Sequence, residues 1–381
     1  HGSLRISCMG DNAERIRRWR TSKLEAWEAG GKLREKFPKK KDLERWMNGQ
    51  IYKAQKHLKS RNILVLGVPR SGTSVITHAL CQAGAVWKWK DSVLLKMEKK
   101  KDKNPEGFFE LQRVFKVNWR YLHLQGIFGK NYFAKPRHDL RDHEIAGMKS
   151  ETKTVVEELE RATPNGKCWV IKNLRFELTH PIWTHIHALR AEKIGMLMAF
   201  RSPVEVVEST WDMWKSVLFW KHAVLKILDV ACNCGYPVVL ASHRHLMTKP
   251  KEEMARITSA LGSINVPGLD AKTVTCVNPK LWRCRNKTFE TLPEDYPDSV
   301  KSLWADLLKL HKTGPPVLRP EAVKAFRDAH DDRETDGYLQ SMVEASMQVQ
   351  KEQEEKLVRR VRRLLSGLGH RALAAIVGYL R

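Results

Sequence analysis

The sequence predicts an α/β fold: a parallel sheet covered by helices on both faces, with helical extensions at the two ends. Two observations predict it. Short apolar runs recur at 61–67, "CWVIK" (168–172), "KIGMLMAF" (193–200) and "YPVVLA" (236–241), as expected of strands buried on both faces. Between them lie longer stretches of helical periodicity at 72–85, 109–125, 150–162, 203–228 and 250–261. Strands alternating with helices imply crossover connections and a parallel sheet.

The 381 residues, 42% of them hydrophobic, suffice for a full core. Composition divides the chain in three. Residues 1–60 form a basic helical extension punctuated by Trp19, Trp27 and Trp46, residues 61–320 the α/β domain, and residues 321–381 a charged helical extension. No run of eighteen apolar residues occurs, which argues against a membrane-spanning helix. The start lacks the hydrophobic region of a signal peptide, and a cytoplasmic protein, with peripheral membrane association through its terminal helices, is expected. Those helices are equally candidates for self-association. The seven cysteines contain no C-x-x-C and no zinc-finger spacing, so a structural zinc is not expected. Reduced thiols are expected, with a Cys276–Cys284 bridge as the alternative. The formal charge of +25, from 68 basic against 43 acidic side chains, favours polyanionic partners.

The most informative stretch is "ILVLGVPRSGTS" (63–74). A nucleoside-triphosphate loop reads G-x-x-x-x-G-K-[ST], its lysine reaching the β- and γ-phosphates. Here the frame runs from Gly67 to Gly72, and the lysine position holds Thr73. The turn from strand to helix still offers backbone N–H groups and a positive helix end to an anion. Arg70 supplies a charge inside the loop, and Pro69, Ser71, Gly72, Thr73 and Ser74 complete it.

A second stretch, "FRSPVEVVEST" (200–210), follows the third apolar run. Ser202 is placed to cap a helix beginning at Pro203, with Glu205 completing an S-x-x-E capping box. Arg201 then lies at the strand end and Ser209 two turns into the helix, where a guanidinium fork and a hydroxyl would hold a terminal phosphate.

Together these stretches resemble the sulfotransferases that use 3′-phosphoadenosine 5′-phosphosulfate (PAPS). In that family a P-[RK]-S-G-T-[ST] loop holds the 5′-phosphosulfate, and Arg70 to Ser74 match it. An arginine, with proline two and serine eight residues later, holds the 3′-phosphate; Arg201, Pro203 and Ser209 match. The resemblance extends to the bacterial-type branch in "NPEGFFE" (104–110), Asn118, "WVIKNLR" (169–175), "VVLASHRHL" (238–246) and the basic loop "CVNPKLWRCRN" (276–286), which includes Arg283. It covers about residues 61–290. Asn173 and Leu174 depart from the branch's K-D-P-R segment, and the usual tyrosine-aspartate pair is absent from 238–246. Val75 stands where cytosolic relatives carry an adenine-stacking tryptophan, leaving Trp282 or Trp87 to that role.

The resemblance implies a three-layer P-loop-type fold and transfer of a sulfuryl group from PAPS to an acceptor hydroxyl, leaving 3′-phosphoadenosine 5′-phosphate (PAP), without a metal. Such in-line transfer depends on positioning and electrostatic stabilisation. Arg70 and Lys172 are the candidate cations at the leaving group. Glu110 is the candidate general base, with Glu106 and His123 as alternatives, and an organising role toward Arg175 or the loop as the structural alternative. The charge suits an acceptor that is already anionic, a glycan or glycolipid; nucleic acid is not required. Two other readings remain open: a P-loop kinase or NTPase, which Thr73 opposes, and a non-catalytic anion-binding protein.

Overall fold

The computed structural model describes residues 12–47, 61–94, 107–127, 142–209, 216–282 and 292–331, together with Arg359, with side chains from Arg18 onward. His1 to Asp11, Glu106, Arg283 and Cys284 lie outside these residues. Two compact units are present. One contains residues 1–121 and 141–331; the other contains 122–140 and 332–381, of which the described part is little more than the end of one helix.

Four strands form the sheet: β1 (Asn62–Gly67), β2 (Val170–Lys172), β3 (Ile194–Phe200) and β4 (Val238–Ser242). All pair in parallel in the order β2-β1-β3-β4. These are the four apolar runs, and each is buried almost throughout. Parallel strands require long connections, and helices supply them. The basic N-terminal segment contains α1 (Asn12–Glu28), α2 (Lys32–Lys36) and α3 (residues 40–47). Then come α4 (Thr73–Gln82), α5 (Gln112–Leu124), α6 (Asp142–Ala162), α7 (Phe176–Thr179), α8 (Pro203–Ser209), α9 (Val217–Cys234), α10 (His243–Thr248), α11 (Pro250–Ser263), α12 (Asp298–Thr313) and α13 (Pro320–His330).

The strand register sorts side chains into two faces. Ile63, Val65, Leu197, Ala199, Val239 and Ala241 meet Ile76, Ala79 and Leu80 of α4 and Met254, Ile257 and Leu261 of α11. The opposite face carries Phe200, whose ring lies 5.9 Å from Trp304 of α12, itself edge-on to Trp220 of α9. Helices therefore cover both faces. At its outer edge β4 meets Leu318, which exchanges two backbone hydrogen bonds with Val238.

Two boundaries differ from the sequence expectation. The single helix over 203–228 is two helices, because Ser216 starts α9 anew by accepting the Phe219 N–H on its hydroxyl. Helix α13, assigned by composition mostly to the C-terminal extension, packs on α9 and belongs to the unit that holds the sheet. Its Val323 is fully buried, and Arg327 pairs with Asp229 of α9 at 3.4 Å. Amphipathic charge on α13 concealed that buried stripe.

Beside the carboxyl end of β4, Glu253 of α11 ties three elements together. Its carboxylate accepts the Ser242 N–H at 2.9 Å, the Arg256 guanidinium at 2.9 Å and His311 Nε2 of α12 at 3.0 Å. Burial pushes the Glu253 pKa up, but hydrogen bonds from His311 and Arg256 outweigh it and bring the group down to about 2. A depressed carboxyl pKa contributes stability above the unfolded value of 4.5 and loses it as pH falls through 2. The difference corresponds to about 3 kcal/mol. Glu253→Gln is expected to lower stability by about that amount at neutral pH and to flatten the loss of melting temperature between pH 4.5 and 2. Thermal melts across that range check both.

Candidate functional site

From β1 the chain crosses to β2 on one side and then to β3 on the other. Such a reversal opens a crevice outside the carboxyl ends of the two strands beside it, here β1 and β3. The loop 68–72 leaves β1, Arg201 leaves β3, His243 leaves β4, and Lys172 ends β2. Four strand ends thus present four basic or hydrogen-bonding segments toward one end of the sheet.

The loop is tightly wound. The Ser71 N–H donates to Val68 O at 2.9 Å, Arg70 adopts φ 74° and Gly72 φ 88°. A left-handed conformation at a non-glycine residue costs roughly 1 kcal/mol, so the surroundings must hold Arg70 there. Gly67 is required by space: a Cβ there would lie 2.5 Å from Ser71 Oγ and 2.7 Å from Ala199 O. No side chain caps α4, whose first helical bond is Ile76 N–H to Gly72 O. The N–H groups of Thr73, Ser74 and Val75 thus precede the helical ladder, as an anion site requires. Pro69 and Arg70 are half-buried. Thr73 is buried with its methyl toward Gly67, so the triphosphate-lysine position carries no charge.

Arg201 joins this loop directly. Its Nη1 donates to Arg70 O at 3.0 Å and its Nε to Glu205 Oε2 at 2.7 Å, while its own carbonyl accepts Trp220 Nε1 at 3.1 Å. The expected capping box is not formed. Glu205 stands four residues from Arg201 and three from Ser202, and the guanidinium captures it because a charge-assisted bond is stronger than one to a neutral N–H. Among the described residues Ser202 Oγ and Glu205 Oε1 are buried without partners, as is Ser71 Oγ. Ser209 is the last described residue of α8 and donates its hydroxyl to Val206 O at 3.0 Å.

On the other side of β1, Lys172 is fully buried. Its ammonium donates to Glu110 Oε1 at 2.8 Å, Phe108 O at 2.8 Å and Ser74 Oγ at 3.1 Å. An ammonium has three protons, and all three are engaged. These bonds fasten the strap 107–110 to the first turn of α4. Phe109 within the strap adopts φ 52°, its ring stacked on His78 of α4 at 4.4 Å and tilted against Trp87 at 5.2 Å. Glu110 therefore pairs with Lys172 and not with Arg175. The Arg175 guanidinium lies 5.3 Å over Trp119, and Asn173 Oδ1 accepts the Arg175 N–H in a compact turn. Asn118 is buried, accepting Trp183 Nε1 at 2.8 Å.

The late loop is described as far as Trp282 and is anchored where Gln82 Oε1 accepts the Thr275 and Cys276 N–H groups. Trp282 lies edge-on to His243 at 6.1 Å, with Arg244 5.5 Å over its ring. The Cδ2 of His243 faces Gly72. Burial, then Arg201 and Arg70, drive its pKa well below the ordinary imidazole value, so the ring is neutral. His243 and Trp282 Nε1 complete the set that the strand ends gather. His243 had a weaker signal in the sequence: it is the second residue after the fourth apolar run, whereas Arg201 directly follows the third. Among the described residues no group of acidic, histidine or cysteine side chains is arranged to hold a metal, and no helix is long and apolar enough to cross a membrane.

No family model matches this chain, and no curated protein matches it. Among solved structures it is similar to the sulfotransferase domain from the olefin synthase of Synechococcus PCC 7002, at 15% identity and a TM-score of 0.33, over 66% of this chain and 95% of that one.

Proposed function

We propose that this protein is a PAPS-dependent sulfotransferase acting on the hydroxyl of an anionic glycan or glycolipid. The observation that carries the reading is the contact of Arg201 with Arg70 O, which brings the two sequence motifs onto one crevice. The residues fit the nucleotide. Loop N–H groups and Arg70 would hold its 5′ end. Arg201, with two of its five N–H groups committed to Glu205 and Arg70, retains donors for a 3′-phosphate. Buried hydroxyls of Ser71 and Ser202 without partners mark polar positions that a ligand would satisfy.

Bound PAPS supplies the sulfuryl group and the phosphate that leaves. The chain's part is to fix the nucleotide, shield it from water and take the acceptor's proton. Glu110, held beside the loop helix by Lys172, would take that proton; His123 is the alternative within the described residues. On the acceptor side Trp119 is 41% exposed, with Arg175 over its ring and three residues from Lys172. An exposed indole beside a guanidinium suits a sugar ring bearing an anionic group.

Thermal-shift titration tests the cofactor. PAP is expected to stabilise the protein without magnesium and more than ATP-Mg does; equal shifts would overturn the reading. Arg201→Ala should weaken PAP by about 1.5–3 kcal/mol, the scale of a hydrogen bond to a charged group, and an unchanged Kd would remove Arg201 from the site.

Glu110→Gln tests the base. The substitution leaves the buried Lys172 ammonium without its counter-charge, so stability should fall by about 3–5 kcal/mol. Turnover should fall by about 10²–10⁴ and lose the acidic limb of its pH profile. A retained acidic limb, whatever the melting temperature, would pass the role to another group.

A further inference from the structure

Among the described residues, the charges around the loop do not balance for a phosphate ligand. Arg201 is already matched by Glu205 at 2.7 Å, so the pair adds little net charge. Arg70 contributes one positive charge, and a phosphate monoester at neutral pH carries nearly two negative charges. Thr73, where a triphosphate loop has its lysine, contributes none. The described group placed to make up the difference is His243. Its ring lies against Gly72 at the start of α4, with a Cβ position on that glycine only 2.3 Å from Cδ2. Its Nδ1 is buried and has no hydrogen-bond partner among the described residues. The charged groups facing it are Arg70 on the loop after β1 and Arg201, with its partner Glu205, after β3. On its own helix Arg244 is turned to Trp282.

We propose that His243 is a ligand-binding residue of this crevice that is neutral without ligand and takes up a proton when a phosphate enters beside Arg70 and Arg201. The physical reason is symmetrical. Two guanidinium groups and burial oppose an imidazolium before the anion arrives. A dianion in the same space favours it and supplies an acceptor for its N–H. Phosphate binding and proton binding are then linked, each strengthening the other. Affinity should rise as pH falls through the imidazole range of the complex, by up to about tenfold per unit. The inference rests on the proposed nucleotide site but not on the transfer reaction.

Titration calorimetry of PAP at pH 7.5, in PIPES and in Tris, measures the linkage through the dependence of heat on buffer ionisation. Wild-type protein should take up a sizeable fraction of a proton per PAP bound, at most about one. His243→Gln should remove that uptake and flatten the pH dependence of Kd between 6 and 8. Uptake that is absent in the wild type, or that persists in the variant, overturns the proposal. Should Gln at this packed position unfold the protein, histidine-selective nuclear magnetic resonance on the wild type decides instead: the His243 signal must move from neutral to imidazolium shifts as PAP is added. If ATP binds and PAP does not, the sulfotransferase reading falls while the proton count on ATP still judges His243. Binding of neither overturns both.

Discussion

The guanidinium of Arg201 is the constraint on which the rest of the site depends. It donates in two directions, to Glu205 on the helix that follows it and to Arg70 O on the loop of the neighbouring strand. The first bond fixes the side chain and the second fixes the loop. Because Arg70 stands at φ 74°, its carbonyl orientation is unusual, and an external donor is what holds it there. Trp220 of α9 then pins the Arg201 backbone from the opposite face of the sheet. The loop and the second strand end are coupled through one planar group whose fork geometry a lysine could not reproduce, and the far helix layer is joined through the same residue's carbonyl.

A second constraint works on the other flank. Lys172 is buried, and burial of an ammonium is tolerable only when all its protons find acceptors. Glu110, Phe108 O and Ser74 Oγ satisfy them, and the same three bonds attach the strap 107–110 to the loop helix. An ammonium so engaged has no proton left for a leaving group unless one of these bonds breaks. Lys172 in this state orients Glu110 and the strap, and a direct contact with ligand would require rearrangement of the strap. The strained Phe109 within it is where such a rearrangement would release backbone energy.

The four strands were legible because they are local, and the two motif stretches could be picked out for the same reason. A strand buried on both faces is a continuous apolar run, and a phosphate turn is a short string of residue types at fixed spacing. The capping box failed for a local reason too: Glu205 satisfies the spacing for Ser202 and for Arg201 at once, and pattern alone does not say that charge prevails. The Lys172–Glu110 pair was not legible, since 62 positions separate the partners and only the strap's path joins them. His243 was visible only as a residue following a buried run. Its meaning depended on the strand order, which sets β4 beside β3 and so brings it to Gly72.

The absent loop lysine is the thread through these findings. A permanent cation at position 73 would stand at the start of α4, close to Gly67 and the Ser71 hydroxyl. A buried threonine there carries no charge, so among the described residues Arg70 and Arg201 are the cations at these two strand ends that the proposed anion would meet. Neutralising Arg201 with Glu205 lowers the charge further, and His243 is held neutral by its surroundings. Among the described residues the crevice is therefore only modestly positive, although the chain as a whole carries +25. Low local charge keeps several cationic groups together at an affordable repulsion while no anion is bound. The compensating charge then arrives with the ligand as a proton, where a triphosphate loop stores it permanently on a side chain.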